Sequence, residues 1–245
     1  FCPSAHPDPH SWDVWVHKYA MLALLAWYER TGFEPALDTC RRAADLLLRV
    51  FGPEGGHDLN KTDEHVGLAR GSVLEPIVLL YRHTGDERYL GFANRIVRHF
   101  WEKTTPEAPQ LMPVLRKRGG VNRIGRGKAY EMLSCFVGLV EYARATNDGE
   151  ILRMVADARD RIARTMSYPT GGMSSNEWFT FPGELPEHAH IETCVTFSWM
   201  QLNFRLFEAS GDEYALDLAE HAAWNQLLPA FCPDGTTWTY HLPVT

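Results

Sequence analysis

The sequence predicts an all-α fold of the α/α-toroid type, built of repeated αα-hairpins. Three observations predict it. Apolar residues recur at spacings of three and four through most of the 245 residues. The helical stretches come in pairs, about four pairs in all. The pairs also share one joint: Tyr28-Glu-Arg-Thr-Gly-Phe, Tyr81-Arg-His-Thr-Gly-Asp, Tyr142-Ala-Arg-Ala-Thr-Asn-Asp and Phe207-Glu-Ala-Ser-Gly-Asp. An aromatic anchors the last turn, Gly or Asn takes the left-handed C-cap, and Asp caps the next helix.

The first helix is expected over residues 11–31, with Trp15, Tyr19, Leu22, Leu25 and Ala26 on one stripe, Ser11 and Asp13 as caps and Gly32 as its stop. The second, 35–51, carries Leu37, Ala44, Leu47 and Leu48 and ends at Gly52-Pro53. Further hairpins are expected over 65–84 with 86–102, 128–146 with 149–166, and 192–210 with 212–228. Such hairpins bury their apolar faces only by stacking, in an open solenoid or a closed ring. The joints at Gly32 and Gly85 lie 53 residues apart, longer than the roughly 34-residue period of short-repeat solenoids. Long, uneven loops suit a toroid whose loops line one mouth. The tail 236–245, where aromatic and polar residues alternate, reads as a strand leading into a further β domain.

Composition narrows the function. A net charge of -7 argues against a polyanion-binding surface and leaves small molecules or neutral polymers as partners, not nucleic acid. No apolar run of about 20 residues is present to span a membrane. No signal peptide is seen, which favours the cytoplasm, although a start at Phe1 suggests a processed chain or an excised piece. Five widely spaced cysteines imply no disulfide framework, and Cys40 and Cys135 read as small core hydrophobes. The basic linker 104–127, with Arg116, Lys117, Arg118, Arg123 and Arg126, is a solvated loop or a rim for an anionic or sugar substrate.

Helical periodicity stops in the stretch from Tyr168 to Cys194. His188, His190, Glu192 and Cys194 alternate there, and in an extended segment they share one face as zinc-type N, O and S donors; a His-rich surface loop is the plain alternative. Cys194 falls at a helix start, which favours a thiolate, and Glu192 also suits a helix-start carboxylate. Glu177 follows Gly171-Gly172 and precedes Trp178-Phe179; a carboxyl against aromatic rings has its pKa raised toward that of a general acid, and sugars stack on such rings. The alternative is an exposed loop glutamate beside core aromatics.

The run GGMSSNEWFTFPGELPEHAHIETC, followed by FEASGDEYALDLAEHAAWNQLLPAFCPDGTTWTYHLPV, resembles the β-L-arabinofuranosidase family of glycoside hydrolases, long catalogued as a domain of unknown function. WVHKYAMLALLAWYERTG, SVLEPIVLLYRHTGDERYL and KAYEMLSCFVGLVEYARAT are similar in kind, so the resemblance covers nearly the whole chain. It implies an (α/α)6 barrel with accessory β-sandwiches and a retaining mechanism on glycans with a zinc-held cysteine thiolate as nucleophile. It further implies Glu177 as acid/base and Glu192 and Cys194 as zinc ligands, with His17, Tyr19, His65, Lys128 and Trp178 as substrate-binding residues. Lys128 stands where the family carries a substrate-binding His, which leaves the sugar open. The family's Cys-Cys pair has no counterpart here and four hairpins fall short of six, so an incomplete barrel with weak or no activity of its own is expected. His188 or His190 would then substitute as ligands. A metal-independent epimerase or unsaturated-uronyl hydrolase of the same fold, and a non-catalytic carbohydrate-binding scaffold, are the other readings.

Overall fold

The structure, a computed structural model, describes residues 12–59, 64–102 and 110–244. Helices α1 (Asp13–Thr31) and α2 (Glu34–Phe51) form the first hairpin. After a 3-10 turn at Glu64–Gly67, the short α3 (Leu68–Gly71) leads into α4 (Leu74–Thr84), which pairs with α5 (Glu87–Trp101). The short α6 (Leu111–Arg116) and 3-10 turns over Val121–Gly127 precede α7 (Ala129–Thr146) and α8 (Gly149–Thr165). Strand β1 (His190–Glu192) feeds α9 (Thr193–Ser210), followed by α10 (Glu213–Ala222), a π turn at Ala223–Leu227 and β2 (His241–Pro243).

The joints account for the repeat. Gly32, Gly85, Asn147 and Gly211 all adopt the left-handed conformation at their helix ends, with φ between 55° and 71°. Asp86, Asp148 and Asp212 each accept backbone N–H bonds in the next helix. The first joint departs: Phe33 takes the N-cap of α2 without a side-chain bond. Ser11 lies outside the described residues, and Trp12 occupies the N-cap of α1.

Two layers result. Helices α1, α4, α7 and α9 pack in sequence as the inner layer, and α2, α5, α8 and α10 back them from outside. Burial follows this division. Every residue from Leu74 to Leu80 of α4 is buried, and α7 is buried nearly all round, whereas α8 hides only a stripe of Ile151, Val155, Ala158, Arg159 and Ile162. One main cluster of buried residues runs through both layers. At the two ends of the arc, α1 exposes Val16 and Trp27 and α9 exposes Phe197 and Phe204.

Two expected helices differ in extent. The helix expected from residue 65 is broken, because Gly67 at φ 83° turns the chain before α3 and α4 begin. The helix expected over 212–228 unwinds into the π turn after Ala222 and stops near Pro229. In the basic linker, Arg116 pairs with Glu150 at 3.1 Å and Arg118 with Asp157 at 2.5 Å, both on α8.

A buried ionic group ties the inner layer together. The fully buried Glu141 of α7 takes Arg82 of α4 at 2.7 Å, Arg144 at 2.9 Å and Arg205 of α9 at 3.3 Å. Arg144 and Arg205 both reach on to Glu208.

Candidate active site

Polar side chains gather where the N-terminal ends of α1, α7 and α9 meet the loop 168–189. That loop is held by its own backbone. The Ala129 N–H donates to the Glu177 carbonyl oxygen at 3.0 Å, Phe179 N–H to Gly127 at 2.8 Å and Asn176 N–H to His190 at 3.0 Å. Glu177 is thereby fixed between the start of α7 and β1. Ser174, Asn176 and Glu177 have φ of 84°, 49° and 79°, a left-handed geometry costing on the order of 1–3 kcal/mol per non-glycine residue and persisting only where surroundings enforce it. At Gly172 a Cβ would lie 2.7 Å from the Ile191 side chain and 2.8 Å from that of Gln226, so a larger residue there would make the ends of those side chains move aside.

The tail supplies the other wall. Strands β1 and β2 pair antiparallel with Glu192 opposite His241, and Thr193 N–H donates to the Tyr240 carbonyl oxygen at 2.9 Å. Cross-strand partners project to the same side. Glu192 is the N-cap residue of α9 but makes no side-chain cap bond, which leaves its carboxylate for the site. Of the tail 236–245 expected as a strand, His241–Pro243 form one, and it pairs back onto β1.

Ligand atoms of Glu177, Glu192 and His241 lie within 4.8 Å of one another and could hold a metal ion. Glu192 is 1% exposed; its Oε2 and the buried Nδ1 of His241 have no hydrogen-bond partner. Carboxylate and imidazole are suitable donors for zinc. Cys194 is the second residue of α9, and its Sγ lies 3.5 Å from the Tyr240 hydroxyl.

Electrostatics reverse two expectations. Burial pushes the Glu177 carboxyl up, but the Lys128 ammonium bonded to it outweighs that and holds it below the usual carboxylate value. Burial also overrides the helix start at Cys194 and pushes its thiol up to about 11. Burial, together with the neighbouring Glu177 and against the Tyr240 hydroxyl, raises Glu192. Glu131 of α7 is raised to about 7 by burial, against Lys128, and stands 3.4 Å from His65, which burial and Lys128 lower to about 4.

The other expected residues divide. Lys128 lies against Glu177 and over the Trp178 ring, 4.9 Å from its centroid. Tyr19 bonds the Tyr130 hydroxyl, and Trp15 packs edge-on against both rings. His17 is buried and bonds the Asp13 carbonyl oxygen at 3.0 Å. His188 and His190 are exposed, and the ligand cluster takes His241 instead. The four histidine, carboxylate and thiol positions 188–194 do not share one extended face, because the strand covers only His190–Glu192 and Cys194 has already entered α9. Sequence reasoning missed Glu131, Tyr130, Tyr240 and His241. Glu131 had a readable signal, an acid inside the apolar run of α7.

Fold and site together define an α/α toroid with a cluster of two acids and an imidazole beside the start of α9. The chain belongs to the β-L-arabinofuranosidase GH127 catalytic-domain family, whose model matches residues 4–245. It is similar to a non-reducing end β-L-arabinofuranosidase of Bifidobacterium longum subsp. longum, 22% identical over 256 residues, covering 94% of this chain and 37% of that protein. Among solved structures it resembles a GH127 β-L-arabinofuranosidase of Geobacillus stearothermophilus T6, with TM-score 0.74 and 22% identity over 94% of this chain and 38% of that one. It also resembles a cellobiose 2-epimerase of Bacillus thermoamylovorans B4167, with TM-score 0.63 and 17% identity over 94% of this chain and 63% of that one. The chain thus spans little more than a third of the length of the arabinofuranosidases it matches. Among the described residues no helix is long and apolar enough to cross a membrane.

Proposed function

We propose that this chain is the catalytic toroid of a glycoside hydrolase acting on β-L-arabinofuranosides, with Glu177 as acid/base and a zinc ion held through Glu192 and Cys194. The supporting observation is that the loop residue Glu177 and the strand-end residue Glu192 bring ligand atoms within 4.8 Å of each other, with Cys194 two residues after Glu192 at the start of α9, in a chain matching the family over residues 4–245. Zinc, when bound, supplies the charge that turns a thiol into a thiolate. Without it Cys194, pushed up to about 11, keeps its proton.

Trp178 offers a ring for a sugar face, and Lys128, Tyr19 and His65 offer polar groups for its hydroxyls; His17 joins them on the resemblance alone. Transfer of the Lys128 ammonium to a sugar oxygen removes the cation that keeps Glu177 ionised. The half-buried carboxyl then regains a proton, gives it to the glycosidic oxygen as the bond breaks, and afterwards takes one from water. The exposed apolar faces of α1 and α9 suit further helices of a closed barrel.

Azide can serve as an external nucleophile in the test of this reading. Azide attacks the anomeric carbon, Glu177 protonates the leaving oxygen, and glycosyl azide and alcohol form. The test is incubation of the zinc-loaded protein with azide and methyl glycosides of several furanoses. Fastest alcohol release from the β-L-arabinofuranoside supports the assignment; release from none of them contradicts it.

A second reading has one observation in its favour. Glu131, raised to about 7, beside His65, lowered to about 4, is an acid/base pair that needs no metal, as an epimerase-type enzyme requires. Activity that survives chelation and is lost in Glu131→Gln would favour it.

A further inference from the structure

We infer that His241 is a metal ligand, gripping the ion together with Glu192 across the β1–β2 ribbon. This rests on the zinc reading above and assigns a ligand that the resemblance does not imply.

Three observations carry it. Register places Glu192 directly opposite His241, so two donors from segments 49 positions apart are fixed by backbone pairing instead of by flexible side chains. Each of the two residues also carries an unsatisfied atom: Glu192 Oε2, on a side chain that is 99% hidden from solvent, and His241 Nδ1 are both buried without partners. A buried polar atom left without a partner costs about 1–3 kcal/mol, and an ion bound by both residues would offset that cost. Thirdly, the donor atoms already lie within 4.8 Å of one another, near enough that small side-chain rotations would bring them onto one ion.

Glu177 belongs to the same group of atoms but is the poorer ligand, because its carboxylate is already taken by Lys128. That division leaves Glu177 for proton transfer and Glu192 and His241 for the metal. Ring packing fixes the imidazole: the Tyr240 ring lies 4.7 Å from that of His241, edge-on. His190, whose ring centroid is 6.5 Å from that of His241, offers its neighbour packing and is not a ligand.

The test is equilibrium binding of zinc, read by mass-spectrometric metal content after dialysis, with cobalt(II) substitution to read the ligand set from its absorption spectrum. Parent, His241→Ala, His241→Cys, His190→Ala and Cys194→Ser proteins are compared, each checked for an unchanged helical spectrum without metal. The expected result is about one metal per parent chain, and a fall in affinity on the order of 100-fold or more in His241→Ala. His190→Ala should bind as the parent does. His241→Cys should bind cobalt with a stronger thiolate-to-metal absorption band. If the parent and Cys194→Ser show the family-type dependence while His241→Ala binds as tightly as the parent, the His241 assignment is overturned and the zinc reading stands. If the parent binds neither metal, the zinc reading itself falls, and His241 with it.

Discussion

Lys128, the residue just ahead of α7, donates to the carboxylate of Glu177 on the loop before β1 while lying 4.9 Å from the centre of the Trp178 ring. A backbone bridge between Lys128 and Trp178 fixes the approach. This pair decides the protonation of the proposed acid. Burial alone would favour the neutral carboxyl; the adjacent ammonium favours the charged one and wins.

Removing that ammonium therefore moves activity along the pH axis. With Glu177 held below the usual carboxylate value, the protonated acid is lost at low pH in the free protein, so kcat/KM declines from a low pH upward. Lys128→Met lifts the Glu177 pKa, and the declining limb shifts to higher pH. The pH profile of azide-supported turnover in the two proteins checks this.

Stability follows the same pair with the opposite sign of pH. A depressed carboxyl pKa stabilises the fold above the unfolded-state value, and that gain disappears as pH falls through the folded value. The destabilisation by Lys128→Met, measured by urea unfolding, is therefore largest near neutrality and fades in acid.

Glu141 carries the inner layer. It is fully buried and takes arginines from α4, α7 and α9. Breaking a buried ionic group costs roughly 3–5 kcal/mol, and the lower end applies because the arginines reach solvent. Glu141→Ala should lower the melting temperature by about 6–12 °C, at 2–4 °C per kcal/mol for a chain of this size. Calorimetry measures it.

Asp148 caps α8 by accepting from the Glu150 and Ile151 N–H groups, both at 3.0 Å. Asp148→Ala should cost about 1 kcal/mol, seen as a modest fall in urea midpoint with an unchanged slope.

The four described cysteines are free but not equally reactive. Cys40 and Cys135 are fully buried, and burial pushes Cys40 up to about 12 and Cys135 higher still. Iodoacetamide at mild alkaline pH should label exposed Cys232 in the folded protein and reach Cys40 and Cys135 only after unfolding, as peptide mass mapping would show.

The hairpins were legible because their signals are local. Apolar spacing, the Gly or Asn at each joint and the Asp after it depend on neighbours within one or two turns, and Asp86, Asp148 and Asp212 cap as expected. The candidate site was legible in part. Glu177 and Glu192 both lie in the stretch where helical periodicity stops, and the fold brings their ligand atoms within 4.8 Å of each other. The partner of Glu192 was not legible. His241 reaches it through strand pairing, and a tail that alternates in sequence does not state which strand it will pair with. The protonation of Glu177 was misjudged for a similar reason: the neighbouring Trp178 was visible in the sequence, but Lys128 is brought in by folding across 49 positions.

The central claim is that Glu177 protonates the leaving oxygen of a glycoside. Its most direct test is leaving-group dependence: azide-supported turnover of methyl and of p-nitrophenyl β-L-arabinofuranoside by the parent protein and by Glu177→Gln. An alkoxide needs a proton to leave and a nitrophenolate does not. The account predicts a loss of roughly 10²–10⁴-fold for the methyl glycoside and a much smaller loss for the nitrophenyl one. Equal losses on both, or no loss on either, would contradict it.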